Sequence, residues 1–240
     1  MASHAIGRAD GVLVTRPAES AVGTARALRA RGWRPVFAPV AEIERISFDL
    51  PLAEQVQAVL VTSANALPML PATYFHVPLF AVGDATASRA RALGFTATRS
   101  ATGDAEALAV LAVASCAPSG GPLLHLCGRD SPATLGSILA DSGFEVLRRE
   151  AYLARPTARL PDAARGKLAR NMVAAALFFS PATARRFVAL FRHDMPPEML
   201  KDVTAIAISA AAAEALAPLP WRRIRVASRP NQDELLAQLP

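Results

Sequence analysis

The sequence predicts an α/β protein of two similar domains, each a parallel sheet of about five strands flanked by helices, the two joined by a two-stranded linker. Three observations carry this expectation. Short β-prone apolar segments alternate with Ala/Leu/Arg-rich stretches whose apolar positions recur at three and four residues, the pattern of βα units around parallel sheets. The chain also contains a diverged copy of itself, with its parts in the same order. Finally, Glu42-Ile43-Glu44-Arg45-Ile46 and Tyr152-Leu153-Ala154-Arg155-Pro156 occupy matching places in the two copies, and both have the pattern of extended chain.

The copy is read from four pairs of segments. Val12-Leu13-Val14-Thr15-Arg16 and Gly32-Trp33-Arg34-Pro35-Val36 are echoed by Leu124-His125-Leu126-Cys127-Gly128 and Gly143-Phe144-Glu145-Val146-Leu147. Residues 59–66 are echoed by 177–183, and 80–87 by 206–213. The separation grows from about 111 residues at Gly32 and Gly143 to about 126 at Ala87 and Ala213, far beyond the period of solenoid repeats. Two diverged domains are expected, not an array. Residues 1–40 are expected to return and pack with 157–240, leaving 47–151 as an inserted domain and 41–46 and 152–156 as the linkers. Duplicated α/β domains that face each other leave a cleft, a common place for a small-molecule site.

Strands are expected at 11–15, 35–39, 58–62, 79–82, 96–99, 123–127, 145–150, 175–180, 204–208 and 224–227. Helices over 18–31, 85–93 and 134–142 run into Gly32, Gly94 and Gly143, each suited to a left-handed helix exit. Helices over 104–115 and 231–239 open on Asp104 and Asn231, whose side chains can cap exposed helix N–H groups.

With 240 residues, 52% hydrophobic and 19% charged, the chain is too apolar to be disordered and long enough for two small cores. Its 26 Lys and Arg against 20 Asp and Glu give a formal charge of +6, which points to anionic partners. The cations are scattered as short pairs such as Arg148-Arg149, Arg185-Arg186 and Arg222-Arg223, with few aromatics. A small polyanion fits this distribution better than nucleic acid. Cys116 and Cys127 form no CxxC pair and His4, His76, His125 and His193 share no ligand spacing, so no metal site is expected. Two cysteines suggest a reducing compartment. The amino-terminal ten residues lack the apolar core of a signal peptide, and apolar runs such as 105–117 are too short to span a bilayer. A cytoplasmic protein without membrane association is expected, and a monomer, since no coiled-coil pattern occurs.

The chemistry-bearing residues cluster where strands hand over to helices, the edge at which open α/β sheets bind ligands. Thr15-Arg16, Thr62-Ser63, Gly83-Asp84-Ala85-Thr86, Gly128-Arg129, Ser180 with Thr183, and Ser209 all fall there. Free N–H groups at helix starts favour carboxylates and phosphates. Simple helix capping is the alternative for any single Ser or Thr. Gly83 permits close approach of backbone to an anion, and Thr86 carries a hydroxyl on the first helical turn. Tyr152, one of two tyrosines, lies where a strand leaves the second copy; a proton donor and a packed linker residue are equally compatible with that position. No GxGxxG, Walker motif, GxSxG, catalytic triad or carboxylate pair occurs.

Taken in order, Val12-Leu13-Val14-Thr15-Arg16-Pro17, Thr62-Ser63-Ala64-Asn65-Ala66, Ala81-Val82-Gly83-Asp84-Ala85-Thr86-Ala87, Tyr152, Phe179-Ser180-Pro181-Ala182-Thr183 and Ala227-Ser228-Arg229-Pro230-Asn231 resemble the uroporphyrinogen-III synthase family over nearly the whole chain. The resemblance implies a cofactor-free enzyme of tetrapyrrole biosynthesis whose substrate is hydroxymethylbilane. In that reaction the linear tetrapyrrole loses its hydroxyl as water, the azafulvene closes through a spiro intermediate, and uroporphyrinogen III forms with ring D inverted. Substrate and product carry eight carboxylates. The resemblance makes Tyr152 and Thr86 the catalytic candidates, with Thr15, Arg16, Ser63, Gly83, Asp84, Arg129, Ser180, Thr183 and Ser209 around the substrate. One departure stands out. Many members read Ile-Gly-Pro-x-Thr-Ala in the second copy, where this chain has Ile208-Ser209-Ala210-Ala211-Ala212-Ala213, so Ala212 replaces a threonine. A two-domain protein that binds a polyanion without chemistry is the rival reading.

Overall fold

The computed structural model describes residues 9–101 and 103–240. His4 and residues 1–8 of the amino-terminal segment discussed above lie outside the described residues. The chain opens with β1 (Gly11–Val14), α1 (Ala18–Ala30), β2 (Arg34–Phe37) and β3 (Ala41–Arg45). It continues through β4 (Ala58–Val61), β5 (Leu79–Ala81), α2 (Asp84–Leu93), β6 (Thr98–Ser100), α3 (Ala105–Val113), β7 (Leu123–Gly128), α4 (Thr134–Asp141) and the long β8 (Val146–Pro156). The last third holds α5 (Asp162–Ala169), β9 (Val173–Phe178), α6 (Pro181–Asp194), β10 (Thr204–Ala207), α7 (Ala210–Leu216), β11 (Arg223–Val226) and α8 (Gln232–Leu236).

These strands form two sheets, one of five strands in the order β11-β10-β9-β1-β2 and one of six in the order β3-β8-β7-β4-β5-β6. The chain divides into two compact units, Met1–Glu42 with Pro156–Pro240, and Ile43–Arg155. Read from β2 and from β8, the two sheets have the same succession of strands. The diverged copies in the sequence therefore correspond to congruent sheets, with β3 the additional strand. Every pairing whose register is defined is parallel, as buried β-branched and Ala/Leu strands flanked by helices require.

The two linker segments pair as strands. Residues 152–156 continue β8 without a break, and residues 41–45 form β3 beside it, so the expected linker strands belong to the six-stranded sheet. The physical reason is that their backbone groups find partners. Ile46 N–H donates to Ala151 O at 3.0 Å, Arg155 pairs with Glu44, and Thr157 N–H donates to Val40 O at 3.2 Å. Those contacts run in opposite order along the two segments, the antiparallel sense.

Period-two side-chain alternation sorts each sheet into two cores. In the five-stranded sheet Leu13, Val36, Phe178 and Ala205 face α5, α6 and α7 through Leu168, Phe187, Phe191 and Leu216. Val12, Val14, Leu177 and Ile206 face α1 and α8 through Ala21, Leu28, Leu235 and Leu236. Phe178, Phe187 and Trp221 meet edge-on or tilted with centroids 5.1–5.7 Å apart, which adds directional packing to the first of these cores. The six-stranded sheet repeats the plan. Val59, Val61, Leu124 and Leu126 pack with Leu67, Tyr74, Ala87 and Ala90, while Ala58, Leu60, Phe80 and Leu123 pack with Leu108, Ala112, Leu135 and Leu139. The matched helix ends Gly32 and Gly143 have φ of 79° and 83°, the left-handed exits expected of them. No helix among the described residues is long and apolar enough to cross a membrane.

One buried side chain breaks this apolar pattern. His125 in β7 is 1% exposed, opposite Leu60 and Arg148, and neither ring nitrogen has a hydrogen-bond partner among the described residues. Burial first, and the nearby Arg148 charge second, lower its pKa to about 4. An unfolded chain binds this proton from about pH 6.5 downward while the folded chain resists it, so stability falls as pH drops from about 6.5 to about 4, by as much as ~3 kcal/mol. Thermal melts of His125→Leu are expected to lose that part of the acid dependence. The variant should also be at least as stable at pH 7, because no buried polar atom is left unpaired.

Candidate active site

Within the unit of Ile43–Arg155, the carboxyl ends of β4, β5, β7 and β8 carry a row of polar groups. Ser63 follows β4, and its hydroxyl accepts from Asn65 N–H at 3.3 Å, opening a short 3-10 helix over Ala64–Met69. Gly83 follows β5 with extended backbone at φ −157°, and its carbonyl accepts from Thr86 and Ala87 N–H at 3.1 and 3.0 Å. No side chain caps α2. The first-turn N–H groups of that ten-residue helix therefore face its amino-terminal side beside the exposed Asp84. Thr86 is 8% exposed, and its hydroxyl is in no hydrogen bond among the described residues.

Beyond β7 come Gly128 and Arg129. Tyr152 in β8 is 7% exposed and packs with the core that includes Val61, Leu126 and Ala66. Arg129 N–H donates to Tyr152 O at 2.9 Å, while its Nε donates to Glu150 Oε2 at 3.2 Å. Glu150 also accepts from Arg148 Nη1 at 2.7 Å, and these two guanidinium groups, Arg148 foremost, hold its carboxyl below the usual range. The Glu150 hydrogen bond in turn raises the Arg148 pKa. Neither Arg148 nor Glu150 is among the residues that sequence reasoning places at a site. Their spacing of two on one strand, with opposite charges on one face, is the signal that could have found them.

The other unit carries the matching row. Thr15 is fully buried, and its hydroxyl donates to Leu177 O at 2.6 Å. That bond joins two strands and commits the Thr15 hydroxyl proton to backbone, leaving its oxygen to act only as an acceptor. Arg16 stacks on Phe179 at 4.3 Å and donates to Thr24 Oγ1 at 3.3 Å; Thr24 donates on to Gln232 Oε1 at 2.7 Å. No carboxylate pairs with Arg16 among the described residues, and burial lowers its pKa to about 10. Ser180 starts α6, accepting from Thr183 N–H at 3.1 Å and donating to Thr183 Oγ1 at 2.9 Å. Ser209 starts α7 with its hydroxyl accepting from Ala212 N–H at 3.4 Å, and Ala212 is fully buried.

A hollow of about 270 Å³ in this unit, lined by Trp33, Leu168, Met199, Asp202 and Arg222, lies at the amino ends of the strands, away from these groups. Open α/β sheets bind at the other edge, so it is set apart from the site. Among the described residues no group of three or more His, Cys, Asp and Glu side chains is placed to hold a metal ion.

Two congruent parallel sheets, both with hydroxyl and arginine groups at their strand ends, the edge at which open α/β sheets bind ligands, define a duplicated α/β protein. The family described as uroporphyrinogen-III synthase HemD matches residues 23–237, and the chain belongs to that family. Its fold is similar to that of the uroporphyrinogen-III synthetase from Helicobacter pylori, with 16% identity, 96% of this chain and 97% of that one covered, and a TM-score of 0.61. A mutant uroporphyrinogen III synthase from the extremely thermophilic bacterium Thermus thermophilus shares 18% identity over 95% of this chain and 96% of its own, with a TM-score of 0.49. No curated protein matches the sequence. The activity is that of the family: hydroxymethylbilane is cyclised to uroporphyrinogen III in heme biosynthesis.

The serine that opens α6 gives a direct measure of capping at this edge. Ser180→Ala is expected to lower stability by about 1 kcal/mol in urea unfolding, since Thr183 N–H loses its acceptor.

Proposed function

We propose that this chain directs ring closure by orientation, holding the bilane so that ring D attacks at the carbon that gives isomer III in preference to simple closure. Well-oriented intramolecular reactions gain many orders of magnitude in effective concentration, and nothing in the motif set supplies a stronger nucleophile or base. Tyr152 assists departure of the hydroxyl as a proton donor, and the Thr86 hydroxyl helps to orient the bilane from the first turn of α2. The observation that carries the reading is the state of the Ile43–Arg155 rim: an uncapped ten-residue helix start at Gly83, an uncommitted Thr86 hydroxyl and the Tyr152 ring, all at the carboxyl edge of one sheet. Substrate carboxylates take the N–H groups after Gly83, and Asp84, which only accepts, takes a pyrrole N–H.

Arg16 is the principal cation of the other row. A guanidinium withdrawn from water, with no acidic partner among the described residues, favours an incoming carboxylate strongly, because the cost of burying the charge is already met by the fold. Arg129, Ser63, Ser180, Thr183 and Ser209 complete the anion-binding set, with the three serines acting chiefly through the helix starts they shape. The functional division follows the sequence copies, residues 1–40 with 157–240 and residues 47–151, with 41–46 and 152–156 as connections. We also take the protein to be a cytoplasmic monomer that binds neither nucleic acid nor membrane; its scattered cations and two free cysteines support this.

Supplied with hydroxymethylbilane, the protein should accumulate isomer III by chromatography, and accumulation of the spontaneous isomer I alone would overturn the reading. Tyr152→Phe should lower kcat by about 10²-fold with product affinity nearly unchanged, as expected for loss of a general acid. Unchanged turnover would remove that role. Arg16→Gln should raise KM by about tenfold or more at nearly constant kcat, since a charge-assisted contact is worth about 1.5–3 kcal/mol. A change confined to kcat would place Arg16 elsewhere in the mechanism.

A further inference from the structure

We infer that Arg148, with Gly128 and Glu150, is a positioning residue that fixes the ring of Tyr152. The starting point is the register of β7 against β8. Leu123 to Cys127 pair in step with Val146 to Glu150, but the next pair is Gly128 with Tyr152. Ala151 is thus an extra residue in β8, and such an irregularity re-aims the side chain that follows it. Here it lays the Tyr152 ring over Gly128. A Cβ at position 128 would lie 2.8 Å from both Cε2 and Cζ and 3.1 Å from the phenol oxygen, so only glycine leaves room for the ring. The seat under the tyrosine is therefore bare backbone, and its position is the position of the turn after β7.

That turn is held from β8 by Arg148. Its Nη2 donates to Ser131 O at 3.1 Å and Arg129 O at 3.4 Å, while Nη1 donates to Glu150 Oε1 at 2.7 Å. Glu150 closes the loop by accepting from Arg129 Nε at 3.2 Å, and Arg129 N–H reaches Tyr152 O at 2.9 Å. One guanidinium fork thus ties residues 129 and 131 to the strand that carries the tyrosine two residues beyond Glu150. A lysine has no planar fork and cannot satisfy the three acceptors together. On this reading Arg148 acts through the turn, not on the substrate.

The inference rests on the assignment of Tyr152 as the acid, and the test separates the two. The chain has only Tyr74 and Tyr152, so tyrosine-labelled protein gives two ring signals. Tyr74, 2% exposed and bonded to Pro51 O, reports the fold. In Arg148→Met the Tyr152 signal should shift or broaden while the Tyr74 signal stays, and kcat should fall by about tenfold or more with KM within about twofold. Arg148→Lys should recover part of both changes. In a Tyr152→Phe background Arg148→Met should add less than about twofold, because the two act as one unit. An unmoved Tyr152 signal, or losses that multiply in the double variant, would overturn the inference. A moved Tyr152 signal together with full activity of Tyr152→Phe would leave Arg148 as the positioning residue and remove the acid role. If loss of the Tyr74 signal shows that Arg148→Met does not fold, Glu150→Gln, which keeps one acceptor for Arg148, carries the same comparison: a moved Tyr152 signal supports the inference and an unmoved one overturns it.

Discussion

Each sheet is held at its centre by a pairing between strands from opposite halves of the chain. β1 lies between β2 and β9, and the Thr15 hydroxyl reaches Leu177 across 162 positions of sequence. β7 and β4 make the equivalent junction in the six-stranded sheet. Without these two pairings neither parallel sheet has a middle, because parallel neighbours cannot be supplied by a hairpin. The strand ends that carry the polar rows are the ends of these central strands and their neighbours. Pairing over so long a separation raises the contact order of the fold, the property that slows folding of such topologies.

Electrostatics then separate the two rows. In the Ile43–Arg155 unit, Arg129 and Arg148 share Glu150, and the three groups are structural as much as ionic: their hydrogen bonds shape a turn. In the other unit Arg16 has an aromatic face and a threonine hydroxyl but no acid among the described residues. A stacked, half-buried guanidinium keeps its charge and its outward donors for a ligand, whereas Arg129 and Arg148 spend donors on Glu150 and keep one net positive charge between them. The formal +6 of the chain is thus a poor guide to where a polyanion is held. What matters is which cations lack a partner.

The alternation of apolar segments and the order of the copies made nearly all strands and the paired sheets legible, because buried parallel strands have few sequence solutions. Helix ends at Gly32 and Gly143 were legible for the same reason, a positive φ that other residues resist. The length of β8 was not: the strand expected at 145–150 runs on through 152–156, which read as a separate linker until β3 supplies partners for its backbone. At the site, residue types at strand ends pointed to the rows, but hydroxyl orientation did not follow from type. Thr15 and Ser180 turn inward to backbone partners, while Thr86 does not. Phe179, Thr24 and Gln232 around Arg16 come from three separate segments, and nothing local in the sequence connects them.

The divergence between the copies falls at one helix start. α2 and α7 occupy the same place in congruent sheets, and Gly83 and Ser209 have nearly the same extended backbone, with φ of −157° and −155°. In the first copy the amino-terminal residue contributes no side chain, and the hydroxyl stands one turn on at Thr86. In the second, the hydroxyl has moved to the helix start, where Ser209 caps Ala212 N–H, and the turn position is alanine. The exchange keeps a hydroxyl near the start of each helix but changes what it does. A capped seven-residue helix is stabilised internally and offers fewer free N–H groups, whereas an uncapped one leaves them to an anion. Loss of the threonine at Ala212 leaves α7 its cap, because Ser209 supplies it, and on the proposed reading Thr86 is the ligand-facing hydroxyl of the pair.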